Sequence, residues 1–174
     1  PPELVAHLRK IEAGEAYDEA AYEACLKDSI DEVVKQQVDA GVDIVSDGEF
    51  SKGRNWAFYV HERLSGLTTR PLTPEEARDP LTQAGGGNDR KAFPEFYAEY
   101  DAATGLGRRL GNRFVCNGEI KYVGQKQVGR DIENLKSAAR KAGANGAFLP
   151  VVAPASALPG GKNEFYKDEE SFLF

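Results

Sequence analysis

Apolar positions recur at helical spacing in the first third of the chain, as Leu4, Leu8 and Ile11 and then as Tyr22, Leu26, Ile30, Val33 and Val34. The first set follows Pro1-Pro2 and stops at Gly14, which predicts a short helix with proline in its first turn. The second set follows Asp18, a good N-cap, and runs to Ala40-Gly41, predicting a long amphipathic helix. Val42-Asp43-Ile44-Val45 comes next with almost no linker. Its β-branched residues predict a short buried strand, so the order is helix, glycine, strand.

The pattern then repeats. Trp56, Val60 and Leu64 have helical spacing and close at Gly66. From 67 to 112 the character changes, with several prolines, the run Gly85-Gly86-Gly87 and the aromatics Phe93, Phe96, Tyr97 and Tyr100. This stretch is read as an inserted loop or lid carrying a short helix. Phe114 to Cys116 and Ile120 to Val123, flanking Asn117-Gly118, predict a strand with a bulge in it. Val128, Ile132, Leu135, Ala138 and Ala142 predict another amphipathic helix ending at Gly143. Ala147 to Val152 predicts a buried strand that Pro154 interrupts, and a last helical segment is expected from Asn163.

Alternating helices and strands imply an α/β fold with parallel pairing, either a doubly wound sheet or a (β/α)8 barrel. A closed barrel takes about 250 residues, against 174 here. The expectation is one domain forming a partial TIM barrel, incomplete in this chain. Methionine is absent and the chain opens on Pro1-Pro2, so it reads as the middle of a gene product.

Composition narrows the partners. A net charge of -6 with 41% apolar residues gives no broad cationic surface, which argues against nucleic acid and anionic membranes and for a small polar or cationic ligand. No apolar run reaches the roughly 20 residues of a membrane helix, and no signal peptide is recognisable, so the cytoplasm is the expected compartment. Cys25 and Cys116 are expected to be free thiols. With His7 and His61 each inside a predicted helix, no grouping offers the roughly four close ligands that a zinc site built by this chain alone would need.

In an α/β fold the ligand site gathers at the carboxyl ends of the strands. Ser46-Asp47-Gly48-Glu49 occupies such an end, and Gly48 allows a sharp turn between two carboxylates. Asp47 either supports the loop through an Asx-type turn or faces a ligand. Glu49 is the stronger candidate to bind an ammonium group, act as a base or ligate a metal. Arg54, Asn55 and Trp56 add a cation, an amide and a flat apolar face, suited to small-molecule recognition or to ordinary helix-start packing. Ser51-Lys52-Gly53 lacks the full glycine pattern of a phosphate loop and is discounted. Arg113, beside Phe114, either makes bidentate contacts to a carboxylate or heterocycle or sits in a salt bridge.

VVKQQVDAGVDIVSDGEFSKGRNW resembles a region of the cobalamin-independent methionine synthases and the shorter methionine synthase II-like proteins, at Gln37, Gly41, Asp43, Gly48 and Glu49. GNRFVCNGEIKY, FLPVVAPAS and NEFYKDEESFLF are similar to later segments of that family. The resemblance implies a (β/α)8 barrel in which zinc activates the thiol of homocysteine and methyltetrahydrofolate donates a methyl group. It implies that Glu49 binds the homocysteine amino group and that Arg113 with Phe114 lies near the folate. Asp47 stands where full-length synthases have His, and Phe114 where they have Cys. The implied zinc ligands, a His-x-Cys pair, a Glu and a later Cys, would lie beyond Phe174. The alternatives are a related thiol alkyltransferase of the epoxide:coenzyme M transferase type and a non-catalytic, truncated half-barrel.

Overall fold

The computed structural model describes residues 1–53, 56–76, 88–104, 112–153 and 162–173. The chain divides into two compact units, Pro1–Leu64 with Tyr122–Ala157, and Ser65–Lys121 with Leu158–Phe174. The 67–112 stretch, read as an insertion, lies in the second unit.

In the first unit, α1 (Pro2–Ala13) ends on Gly14 in the left-handed conformation, and α2 (Glu19–Asp39) starts on Asp18, whose carboxylate accepts the Ala21 N–H at 3.0 Å. Both ends follow the expected stop and cap. Helix α2 lies against α6 (Gln125–Ala142). Between them Leu26, Ile30 and Val34 are fully buried and join Leu4, Tyr22, Val45, Leu135 and Ala138 in one core. Each such aliphatic side chain contributes about 1.5–3 kcal/mol by leaving water.

Strand β1 (Ile44–Val45) pairs in parallel with β4 (Gly146–Ala147), with Ile44 opposite Gly146 and Val45 opposite Ala147. The parallel pairing matches the α/β expectation. Both strands are shorter than the expected 42–45 and 147–152, and among the described residues only one side is covered. Val45 points into the core, while Ile44 is 58% exposed and Phe148 53%. Alternate residues of a strand face opposite sides, so a two-stranded pair with helices on one side buries only every second residue.

The helix expected from Trp56 to Leu64 is α3 (Trp56–His61), which ends early in a turn where the Arg63 N–H donates to the Val60 carbonyl. Helix α6 ends at left-handed Gly143 as expected. Its buried face differs from the expected apolar stripe, because Asp131 is fully buried and Ile132 is 41% exposed.

The second unit contains a strand absent from the sequence reading, β2 (Leu67–Pro71), antiparallel to β3 (Asn112–Cys116), which in turn is parallel to β5 (Lys162–Asn163). Helices α4 (Asn88–Ala92) and α5 (Pro94–Thr104) occupy the aromatic stretch of the expected insertion. Gly66 has φ +75°, and a Cβ there would lie 2.4 Å from the Gly118 carbonyl oxygen, so glycine alone permits this close approach at the base of the hairpin.

The strand expected at Ile120 to Val123 does not form. Tyr122 makes one isolated bridge to Leu64, and the Ile120 N–H instead donates to the Tyr166 hydroxyl at 2.9 Å. The helix expected from Asn163 starts later, as α7 (Glu169–Leu173). Asn163 belongs to β5, and its side chain accepts the Tyr166 N–H and donates to the Tyr166 carbonyl, which holds a turn open until Asp168 caps the helix. Among the described residues the strands form a two-stranded and a three-stranded sheet. The architecture is mixed α/β, with no closed barrel among those residues.

Candidate functional site

The loop after β1 is built from side chains that satisfy its backbone. Gln37, near the end of α2, donates from Nε2 to the Ser46 carbonyl at 2.8 Å and accepts the Ser46 N–H on Oε1 at 3.0 Å. Its amide therefore acts as one more strand rung, tying the carboxyl end of β1 to the long helix. Asp47 is fully buried. Its Oδ1 accepts the Glu49 N–H at 3.0 Å and its Oδ2 accepts the Ser51 hydroxyl. This is the Asx-type turn, with the carboxylate directed into its own loop.

Gly48 and Glu49 both have positive φ, at 65° and 60°. For glycine this costs nothing, whereas for Glu49 the left-handed conformation costs about 1 kcal/mol. A Cβ at Gly48 would also lie 3.1 Å from the Val33 side chain. The consequence is that Glu49 is turned outward, its side chain 58% exposed while its N–H stays tethered to Asp47. Its Oε1 accepts from the Lys52 ammonium at 3.0 Å. Oε2 makes no hydrogen bond among the described residues.

Lys52 is itself buried and lies 6.0 Å from the centre of the Tyr59 ring. Tyr59, on α3, donates to Asp131 Oδ2 at 3.2 Å. Asp131 also receives Arg63 Nη2 at 3.1 Å on Oδ2, and Arg130 Nε and Nη2 at 3.1 and 2.9 Å on Oδ1. Arg63 stacks on the Tyr59 ring at 3.5 Å and donates to the Tyr59 carbonyl. Burial first, and the Asp131 charge second, push the Tyr59 hydroxyl up to about 12. Burial lowers the His61 imidazole. A buried ion-pair network thus stands behind the Glu49 loop in the same unit.

The expected site residues divide between the two units. Asp47 and Glu49 share one loop of the first unit, and Trp56 begins α3 there. Asn55 and Arg54 lie outside the described residues. Arg113 and Phe114 belong to β3 of the second unit. Arg113 Nη1 meets Glu76 Oε1 at 3.4 Å, an ion pair that also includes Arg70.

Lys52, Tyr59, Arg63 and Asp131 were not picked out from the sequence as site residues. The signal available was Asp131 itself, three residues after Val128 and four before Leu135, where a helix of this pattern would place an apolar side chain. Cys25 and Cys116 are both free thiols, as expected, and Cys116 Sγ donates to the Gly118 carbonyl at 3.3 Å. Among the described residues no group of three His, Cys, Asp or Glu side chains converges to hold a metal ion, and no helix is long and apolar enough to cross a membrane.

In comparisons with known proteins, no family model, no curated protein and no solved structure matches the chain.

Proposed function

We propose that the chain is part of a (β/α)8 barrel protein that transfers a methyl group to the thiol of homocysteine from methyltetrahydrofolate, and that Glu49 binds the amino group of the acceptor. The observation that carries this reading is the construction of the Glu49 loop. Gln37 fixes its start, buried Asp47 fixes its turn, and a left-handed backbone presents one carboxylate outward at the carboxyl end of a parallel strand. Strained backbone over-determined by its surroundings is a common feature of ligand-binding loops.

The carboxylate already takes one ammonium, that of Lys52, on Oε1. An incoming ammonium approaches from the exposed side, toward Oε2, and gains a charge-assisted hydrogen bond. Holding the amino acid in one orientation is the contribution these residues make, since a fixed thiol meets its methyl donor at a high effective concentration. The zinc implied by the resemblance does not fit a site made of the described residues. The loop orients and does not activate.

Glu49→Gln in the complete gene product, assayed for methionine formation from homocysteine and methyltetrahydrofolate, tests the reading. Loss of one charged hydrogen bond corresponds to a fall in kcat/KM of about 10- to 100-fold. Unchanged kcat/KM contradicts it.

A further inference from the structure

The chain contains two Asn-Gly pairs, Asn117-Gly118 and Asn145-Gly146. An asparagine followed by glycine is open to attack by its own backbone, because glycine has no Cβ to keep its nitrogen away from the preceding side-chain carbonyl. Both asparagines are exposed, so access to water does not separate them. What separates them is how each is held. Asn145 donates from Nδ2 to Asp43 Oδ1 at 3.0 Å and from its N–H to the Asp43 carbonyl at 3.2 Å. Gly146, which would supply the attacking nitrogen, belongs to β4 and lies opposite Ile44. Ring closure at Asn145 therefore requires the amide to leave Asp43 and the strand pair to open locally first.

Asn117 stands one residue past β3, where the β2–β3 ladder ends with Leu67 opposite Cys116. Its N–H still donates to the Gly66 carbonyl at 2.9 Å. Beyond that point the pairing stops, and neither the Asn117 side-chain amide nor the Gly118 N–H makes a hydrogen bond among the described residues. The electrophile and the nucleophile are adjacent, exposed and unclaimed. The Gly118 carbonyl, by contrast, is held, since it accepts Cys116 Sγ at 3.3 Å and lies against Gly66.

We propose that Asn117 is a site of spontaneous deamidation, while the fold protects Asn145. The Gly118 nitrogen loses its proton to solvent and attacks Asn117 Cγ. The new N–C bond closes a five-membered succinimide, the Cγ–Nδ2 bond breaks, and Nδ2 takes up a proton and leaves as ammonia. Water then adds to one of the two ring carbonyls. Opening at Cγ gives an aspartyl residue at position 117, and opening at the main-chain carbonyl gives an isoaspartyl residue. One water is consumed and one ammonia released, with no oxidation or reduction. The isoaspartyl form carries an extra methylene in the main chain beside Gly66, where a Cβ would already lie 2.4 Å from the Gly118 carbonyl oxygen. The base of the hairpin must shift to accept it. Its exposed α-carboxylate is the substrate class of isoaspartyl carboxyl methyltransferases, which use S-adenosylmethionine.

The test is to age the full chain at mildly alkaline pH, folded and in urea, and to follow the tryptic peptides Phe114–Lys121 and Ala142–Lys162 by mass spectrometry. Each deamidation adds about one dalton. In the folded chain the first peptide should react at least about tenfold faster than the second, because only Asn145 must break hydrogen bonds first, and in urea the two rates should converge to within about threefold. An isoaspartyl methyltransferase with labelled S-adenosylmethionine should mark the first peptide. Asn117→Gln should remove the fast reaction. Gly118→Ala should slow it at least about tenfold, and its Cβ would meet Gly66 Cα at 3.4 Å, so a second folded variant is at hand. Equal rates in the folded chain, a faster reaction at Asn145, a ratio that persists in urea, or no methyl label on the first peptide overturns the proposal.

Discussion

Replacing Gln37 by Met tests whether the Glu49 loop depends on the helix behind it. Met nearly keeps the volume of Gln and its place on α2, but offers neither the donor to the Ser46 carbonyl nor the acceptor for the Ser46 N–H. The two hydrogen bonds to Ser46, of net value about 0.5–1.5 kcal/mol each, are lost, so the range is about 1–3 kcal/mol, and the longer intrahelical contact from Nε2 to the Val33 carbonyl at 3.2 Å goes with them. Gln37 and Ser46 are only half-buried, so water recovers part of this, and about 1.5 kcal/mol is expected. With a urea slope of about 2 kcal/mol/M, the unfolding midpoint falls by roughly 0.7 M. Native-state hydrogen exchange should localise the change, with faster exchange at Ser46 and Glu49 and little difference at Ile30 or Leu135 in the core. Gln37→Glu should be no milder, since it sets an anionic oxygen against the Ser46 carbonyl. An unchanged midpoint together with unchanged exchange at Ser46 and Glu49 would refute the view that this amide anchors the loop.

Asp131→Asn leaves the buried Arg63 guanidinium without its carboxylate, and urea unfolding should show a loss of about 3 kcal/mol, whereas a loss below about 1 kcal/mol would mean the pair is not a closed network. The Tyr59 hydroxyl is raised in the folded state to about 12 from an ordinary value of 10.0, so its stabilising contribution is full below pH 10 and is lost as pH rises through 12. Thermal unfolding across that window should show a decline that Tyr59→Phe flattens, and identical profiles for the two proteins would contradict the assignment. Gly66→Ala combines a forbidden φ with a contact to the Gly118 carbonyl, and calorimetry should register a loss of at least about 2 kcal/mol.

The helices of the first unit were legible because each carries its own periodic face and its own stop. Leu26, Ile30 and Val34 mark the buried side of α2, and Asp18 and Gly14 act through local geometry that needs no partner. Strand β2 was not legible. Leu67-Thr68-Thr69-Arg70-Pro71 is polar at alternate positions and ends on proline, so its pairing depends on β3, which lies some forty residues along the chain. The reverse error, expecting a strand at Ile120 to Val123, came from an apolar run whose backbone is claimed by the Tyr166 hydroxyl and by an isolated bridge. Within the candidate site, Gly48 and Glu49 could be read because a tight turn between carboxylates needs glycine. Asp131 could be read only as an oddity in an apolar stripe, since Arg63 and Tyr59 reach it from almost seventy residues away or more.

The proposal that Glu49 recognises an ammonium group is tested most directly by calorimetric binding to the full chain of homocysteine and of 4-mercaptobutyrate, which differ only in the amino group. One charged hydrogen bond predicts that homocysteine binds about 10- to 100-fold more tightly, and that Glu49→Gln erases the difference. Equal affinities for the two thiols, or a preference for homocysteine that survives Glu49→Gln, would contradict it.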